Sequence, residues 1–316
     1  MPELEIPAFV RQQIAESYGA DEASLVERGF DEARTRPVTL RANTLKAQPD
    51  DIADALDAAR IAYRRVPWYR DAFVLEDVRE KAVWNLDIYR EGRVYLQSLS
   101  SMMPPLVLEP RPGADILDMC AAPGGKTSQV VALSDGAAHM TACEMNGPRA
   151  EKLQYNLDKL GCRNVQVMRV DARRLDKFFS FDQILLDAPC TGSGTICSGD
   201  ERAGRRITEA LLNKVTRSQR ALLDRALDVL KPGGTLVYST CSIFPAENEE
   251  QVAAALKRHR DCEVAPVELA GADGETDAPI MLPGRIEGTC TICPSRLYEG
   301  FFIARITKKD PKKRKR

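Results

Sequence analysis

Histidine is almost absent from this 316-residue chain. There are two, His139 and His259, and neither sits in a motif, which argues against a histidine general base and leaves a zinc site without its usual nitrogen ligands. No run of eighteen apolar residues occurs, so no membrane-spanning helix is expected. The first residues, Met1-Pro2-Glu3-Leu4-Glu5, lack the basic and apolar regions of a signal peptide. An excess of either charge is missing too. The formal net charge is −1, so a polyanionic partner would have to be met by local patches rather than by the field of the whole molecule. No internal repeat is visible.

What is present fits an ordinary globular chain of about two domains, 44% apolar and 29% charged. The nine cysteines are an odd number, scattered through a chain too large to need disulfide staples. Reduced thiols and a cytoplasmic location are the expectation, with no metal. Cys290-x-x-Cys293 is the only close pair, and without a second half it reads as a turn carrying two thiols.

Periodicity predicts helices between Pro7 and Phe30 with a break near Gly19, a strand over 38–44 and a capped helix over 50–56. Tyr63-Arg64-Arg65-Val66-Pro67-Trp68-Tyr69-Arg70 interleaves arginines with aromatics. That pattern suits phosphate contacts with base stacking, and equally an edge strand with exposed basic residues. Ala72 to Leu75 reads as a further strand. Gly92 is the best single boundary, separating a small α+β unit (1–92) from the rest (93–316). From Ala114 to Tyr238, strand and helix alternate as in a doubly wound α/β sheet. A helix rich in apolar residues precedes that sheet, and a last strand, 300–306, would close it antiparallel.

The stretch that organises the second unit is Asp118-Met119-Cys120-Ala121-Ala122-Pro123-Gly124-Gly125-Lys126-Thr127. It reads as a strand, a tight glycine turn and a helix N-terminus, which aims backbone N–H groups and the positive end of a helix dipole at a ligand. A Walker loop would need glycine where Cys120 stands, and a dinucleotide fingerprint would need separated glycines. An adenosyl ligand without pyrophosphate remains, as in S-adenosylmethionine sites. Three further strands end in Glu144, Asp171 and Asp187, at the sheet edge where open α/β folds bind ligands.

Two further motifs follow, Asp187-Ala188-Pro189-Cys190-Thr191-Gly192-Ser193-Gly194 and Tyr238-Ser239-Thr240-Cys241-Ser242. With Cys120 to Thr127, they resemble the Sun family of RNA cytosine-5 methyltransferases, and the resemblance runs from Arg41-Ala42-Asn43-Thr44 to Glu299-Gly300-Phe301-Phe302. It implies a class I, Rossmann-like methyltransferase domain behind a smaller N-terminal α+β domain that docks RNA. It also implies S-adenosyl-L-methionine as cofactor and tRNA or rRNA as partner; a monomer is the expectation.

Cytosine C5 is a poor nucleophile until a thiolate adds to C6, and cysteine is the natural group for that addition. Cys190 and Cys241 are one thiol more than addition requires, and the residues alone leave open which attacks. The resemblance makes Cys241 the nucleophile and Cys190 the group that assists release. Asp187 is placed beside the transferring methyl and the cytosine edge. Lys126 has two readings, an electrostatic partner of the thiols or base and a solvated lysine. Cys120, Ala121, Ala122, Pro123, Gly124, Gly125 and Lys126 would line the cofactor, with Glu144 at the ribose, Asp171 at the adenine, and Arg149 and Asp187 nearby. Gln97, Ser100 and Ser101 match polar positions near the substrate pocket. Thr195–Asp200 and Ala272–Asp277 depart from the family pattern, which leaves the RNA target open, and the basic run 308–316 is a solvated end or an added attraction for RNA. Two rival readings are methylation of an exocyclic amine, whose usual motif carries an aromatic where Cys190 stands, and a noncatalytic RNA-binding assembly factor, which would need none of Cys190, Cys241 and Asp187.

Overall fold

The computed structural model describes residues 6–268 and 277–311; Met1–Glu5, 269–276 (the greater part of the divergent 272–277 segment) and the basic residues 312–316 lie outside the described residues. The chain runs α1 (Ala8–Ser17), α2 (Ala20–Glu32), β1 (Val38–Ala42), α3 (Pro49–Ala58), β2 (Tyr63–Val66), β3 (Tyr69–Leu75), α4 (Glu80–Trp84), α5 (Asp87–Arg90) and β4 (Val94–Leu96). It continues through α6 (Leu99–Leu108), β5 (Asp115–Asp118), α7 (Gly125–Leu133), β6 (His139–Cys143), α8 (Gly147–Leu160), β7 (Val165–Met168) and β8 (Phe181–Asp187). Then follow α9 (Glu201–Arg206), α10 (Glu209–Val229), β9 (Leu230–Thr240), α11 (Glu249–Arg258), β10 (Cys262–Ala265), β11 (Met281–Leu282), β12 (Cys290–Ile292) and β13 (Phe301–Lys308).

The first four strands form an antiparallel sheet in the order β2-β3-β1-β4. Its last strand, β4, comes after Gly92. Both faces of this sheet are covered, because β3 carries apolar side chains on each. Phe73 and Leu75 meet Ile52 and Leu56 of α3, while Val66, Tyr69, Ala72 and Val74 join Met102, Met103, Val107 and Val130. At roughly 1.5–3 kcal/mol per large apolar side chain buried, the second face alone fixes the small sheet against α6 and α7.

The large sheet has the order β11-β12-β13-β9-β8-β5-β6-β7, with β10 pairing β13. The strands β7, β6, β5, β8 and β9 are parallel, and β13 runs antiparallel to β9. The chain moves outward from β5 to β6 and β7, then returns to place β8 on the other side of β5. That reversal opens a crevice beyond the carboxyl ends of β5 and β8, where ligands bind in such sheets. The helices start where the local chemistry allows: the Asn146 side chain caps α8 and Thr208 caps α10, each accepting an exposed backbone N–H.

The strand and helix expectations from Ala114 onward hold, including the antiparallel closing strand. The β10–β12 additions were not expected, and they correct the reading of Cys290-x-x-Cys293 as a turn: Cys290 begins β12 and Cys293 directly follows it. The interleaved stretch forms the edge strand β2 and the start of β3, with Arg65 and Arg70 exposed, which is one of its two readings. Arg64 pairs with Glu76 and Asp277, Arg65 with Asp50 while lying over Phe73, and the Trp68 Nε1–H donates to Tyr298 Oη at 2.9 Å. Among the described residues no helix is long and apolar enough to cross a membrane.

Candidate active site

The glycine turn leaves β5 and enters α7 through Gly124, whose φ of +107° is open to glycine and strained for other residues. The fully buried Asp118 carboxylate fixes the turn from beneath, accepting from Cys120 N–H at 3.3 Å and from Thr127 Oγ1 at 2.7 Å. From α8, Asn156 Nδ2 donates to Pro123 O and Arg149 to Ala122 O. Burial outweighs the hydrogen bonds from Thr127 and Cys120, and the Asp118 carboxyl rises to about 6.

Two cavities flank this turn. One, of about 350 Å³, is lined by Cys120, Ala122, Glu144, Arg149, Asp171, Asp187, Cys190 and Cys241 among others. The other, of about 690 Å³, opens between the small sheet and the large one and includes Arg36, Arg79, Tyr95, Ser101, Lys126, Asp187, Cys241 and Phe301. Cys120, Ala122, Asp187 and Cys241 border both, so the two spaces meet there. Cys190 borders only the smaller one.

At the junction, Lys126 Nζ lies 2.8 Å from Asp187 Oδ2 and 2.8 Å from Ser101 Oγ, and 5.5 Å from the Phe301 ring centroid. The second carboxylate oxygen, Asp187 Oδ1, accepts from Ser239 Oγ at 2.8 Å. Burial works against the ammonium, but Asp187, then Cys241 and Asp118, outweigh it and hold the Lys126 pKa above its ordinary value. The solvated-lysine reading therefore fails.

Cys190 Sγ and Cys241 Sγ are 3.1 Å apart. The hydrogen bond with Cys241, then burial and the charge of Glu247, push the Cys190 thiol well above the ordinary thiol range. Of the two sulfurs, Cys241 is the one that borders both cavities and lies within the electrostatic reach of the Lys126 ammonium. Burial, followed by the carboxylates of Asp118, Asp187 and Glu144, pushes the Cys120 thiol well up as well.

On the far side of the smaller cavity, Glu144 is buried. It accepts from Asn146 N–H at 2.8 Å and faces the Arg149 guanidinium at 3.3 Å. Asp171 is clamped by Arg173, Nε to Oδ1 at 2.9 Å and the terminal nitrogen to Oδ2 at 2.7 Å, which holds its carboxyl below the usual range. Gly124 and Ala121 serve through the backbone shape of the turn. Neither histidine borders either cavity. Among the residues matched to polar positions, Ser101 and Gln97 border the larger cavity, Ser101 reaching Lys126 and Gln97 donating to Gln129 and accepting from Arg41, whereas Ser100 turns to the backbone of Glu299.

The residue sequence reasoning missed is Glu247. It is fully buried, and its carboxylate takes hydrogen bonds from Thr191 and Ser242, the residues that follow the two cysteines. In the sequence it is one acid in the run Pro245-Ala246-Glu247-Asn248-Glu249-Glu250, which reads as an exposed helix start.

A family model described as 16S rRNA methyltransferase RsmB/F matches residues 105–307, and one for the ferredoxin-like domain of RsmF/B-like methyltransferases matches residues 6–80. The chain is 35% identical over 283 residues to Ribosomal RNA small subunit methyltransferase F of Shewanella loihica, with 85% of this chain and 56% of that protein covered. It is 37% identical over 249 residues to 26S rRNA (cytosine-C(5))-methyltransferase nsun-1 of Caenorhabditis elegans, with 76% and 37% covered. The chain thus spans about half the length of these curated relatives. A solved methyltransferase homolog protein from Pyrococcus horikoshii superimposes with a TM-score of 0.77 at 31% identity, covering 96% of this chain and 100% of that one. With these matches over the same residues that build the turn, the two cysteine loops and the small sheet, the chain belongs to the RsmB/F family of 16S rRNA methyltransferases.

Proposed function

We propose that this chain methylates C5 of a cytosine in rRNA or tRNA, through a transient bond between Cys241 and the C6 carbon of the base. The observation that carries the reading is the junction of the two cavities at Asp187 and Cys241, with Cys190 Sγ 3.1 Å behind Cys241. One cavity is then for the methyl donor and the other for the base.

The cofactor is S-adenosyl-L-methionine, and the smaller cavity suits it in size and chemistry. A volume of about 350 Å³ is that of a small-ligand site. Its acidic residues, Glu144, Asp171 and Asp187, would repel a pyrophosphate and favour a sulfonium cation and a ribose diol. When bound, the cofactor supplies an electrophilic methyl group. Cys120 to Lys126, Glu144, Arg149 and Asp171 would hold it.

The larger cavity brings Arg36, Arg79 and Lys126 together with Glu80, Asp187, Glu299, Tyr95 and Phe301, a polar space of mixed charge with aromatic walls for an unstacked nucleotide. Residues 1–92 would dock the RNA through this rim, since both faces of the small sheet are buried. Cys241 adds to C6 and makes C5 nucleophilic. Asp187 faces the cytosine edge, where its carboxylate supports protonation at N3, and Lys126 holds that carboxylate in place. After methyl transfer a water molecule takes the C5 proton, the C–H electron pair re-forms the C5–C6 double bond and Cys241 leaves as thiolate, with Cys190 as its proton-bearing neighbour.

The test is incubation of the protein with methyl-labelled S-adenosylmethionine and an RNA pool containing rRNA and tRNA, followed by digestion to nucleosides and mass spectrometry. Label in 5-methylcytidine supports the reading. Label in N4-methylcytidine would establish the exocyclic-amine alternative, and RNA binding without label the noncatalytic one.

A further inference from the structure

The two thiols sit on loops 51 residues apart in sequence, yet their sulfurs lie within hydrogen-bond distance. The contact between the loops passes through Glu247. Its Oε1 accepts from Thr191 N–H at 2.8 Å and from Gln219 Nε2 at 3.1 Å; its Oε2 accepts from Thr191 Oγ1 at 2.6 Å and Ser242 Oγ at 2.5 Å. Four donors fill the lone-pair sites of a carboxylate. Thr191 follows Cys190 and Ser242 follows Cys241, so one side chain grips both loops a single residue beyond each sulfur. Gln219 of α10 also donates to Pro189 O, the residue before Cys190. Ser193 Oγ and Ser242 Oγ lie 2.8 Å apart, and Ser193 Oγ accepts from Ile243 N–H.

No ion pair to Glu247 is present among the described residues, and burial raises its carboxyl pKa. An unpaired buried carboxylate is costly, and a neutral side chain would satisfy a purely structural crossing at lower cost. Retaining it suggests that the acceptor-only character of the group, or its charge, is used.

We propose that Glu247 is a positioning residue for both thiols, setting the separation of the Cys190 and Cys241 loops through its four hydrogen bonds. The proposal rests on the two-thiol reading given above. A second effect follows from the same placement: negative charge beside Cys190 helps it keep its proton. The other groups facing Cys190 are the Cys241 thiol and the Tyr238 phenol, with Asp187 beyond. Glu247 touches no substrate. It acts through the cysteines.

The experiment compares wild type with Glu247→Gln, using Glu250→Gln, on the exposed side of α11, as the control. Folding is checked by circular dichroism. Four quantities are then read: kcat and KM for methylation, the pH profile of Cys190 alkylation by peptide mass spectrometry, and the rate at which diamide couples Cys190 to Cys241. Diamide takes up the two thiol protons and electrons as the disulfide forms, so its rate reports how close the sulfurs come. For Glu247→Gln we expect kcat to fall about 10–100-fold with KM nearly unchanged. Cys190 alkylation should shift to lower pH and diamide coupling should slow. A folded Glu247→Gln with wild-type kcat, alkylation profile and coupling rate would overturn the proposal. If that variant does not fold, Thr191→Val and Ser242→Ala each remove one hydrogen bond to the carboxylate, and both should slow coupling; wild-type coupling in both would overturn it equally. If wild type methylates no RNA, the functional reading fails, while alkylation and coupling still decide the role of Glu247.

Discussion

Two cysteine pairs in this chain teach opposite lessons. Cys290 and Cys293 are three residues apart in sequence, whereas Cys190 and Cys241 are 51 residues apart. In the structure Cys290 Sγ faces Val267 O at 3.7 Å, whereas Cys293 joins Ile14, Val26 and Phe30 in an apolar cluster. Burial pushes the Cys293 thiol to about 12. The distant pair is the one in contact, because β8 and β9 are neighbouring parallel strands and deliver both cysteines at the same sheet edge. Topology makes the site, and closeness in sequence does not.

The strongest way to break this contrast is to remove each sulfur of the distant pair. Cys241→Ala should abolish methylation, by at least about 10³-fold, and should leave no covalent RNA adduct. Cys190→Ala should instead accumulate an adduct that survives a denaturing gel. The reverse pattern would exchange the roles of the two thiols.

Lys126→Met comes next. It removes the cation beside Asp187 and Cys241, and we expect kcat to fall about 10²-fold with cofactor affinity nearly unchanged, measured by single-turnover kinetics and calorimetry. An unaltered kcat would return Lys126 to a structural role.

Asp118→Asn sharpens the comparison through pH. The folded-state pKa of Asp118 is raised from 3.8 to about 6, so the folded chain binds this proton more tightly than the unfolded chain. Its contribution to stability is therefore fully present below about pH 4 and is lost as pH rises through about 6. Relative to wild type, Asp118→Asn should gain up to about 3 kcal/mol between pH 4 and pH 7, read from urea denaturation at each pH. A difference independent of pH would contradict the buried-carboxylate assignment.

The smallest effects belong to the close pair. Cys290→Ala and Cys293→Ala should keep methylation at the wild-type level, with the second losing about 1 kcal/mol of stability by denaturant titration. A large loss of activity in either would give this pair a part in the reaction.

Much of this was legible in the sequence. The glycine turn and the acids after three strands lie at one sheet edge because doubly wound sheets leave no other arrangement, and periodicity marks the strands. The pairing of Lys126 with Asp187 was not legible, since a lysine at a helix start is usually solvated. The inward packing of Val66 and Tyr69 was hidden as well. Pro67 breaks the alternation there, and only the packing of β3 on α6 shows that Tyr69 faces the protein. Glu247 was hidden for a related reason: an acid in an acidic run gives no local sign that four donors from three other segments converge on it.

The most direct test of the central claim is trapping with RNA in which cytidine is replaced by 5-fluorocytidine, in the presence of S-adenosylmethionine. Fluorine at C5 does not leave as a proton does, so the sulfur–C6 bond persists after methyl transfer. Proteolysis and mass spectrometry should find the modified nucleotide on Cys241. Finding it on Cys190, or finding no adduct while the same preparation methylates ordinary RNA, would contradict the account.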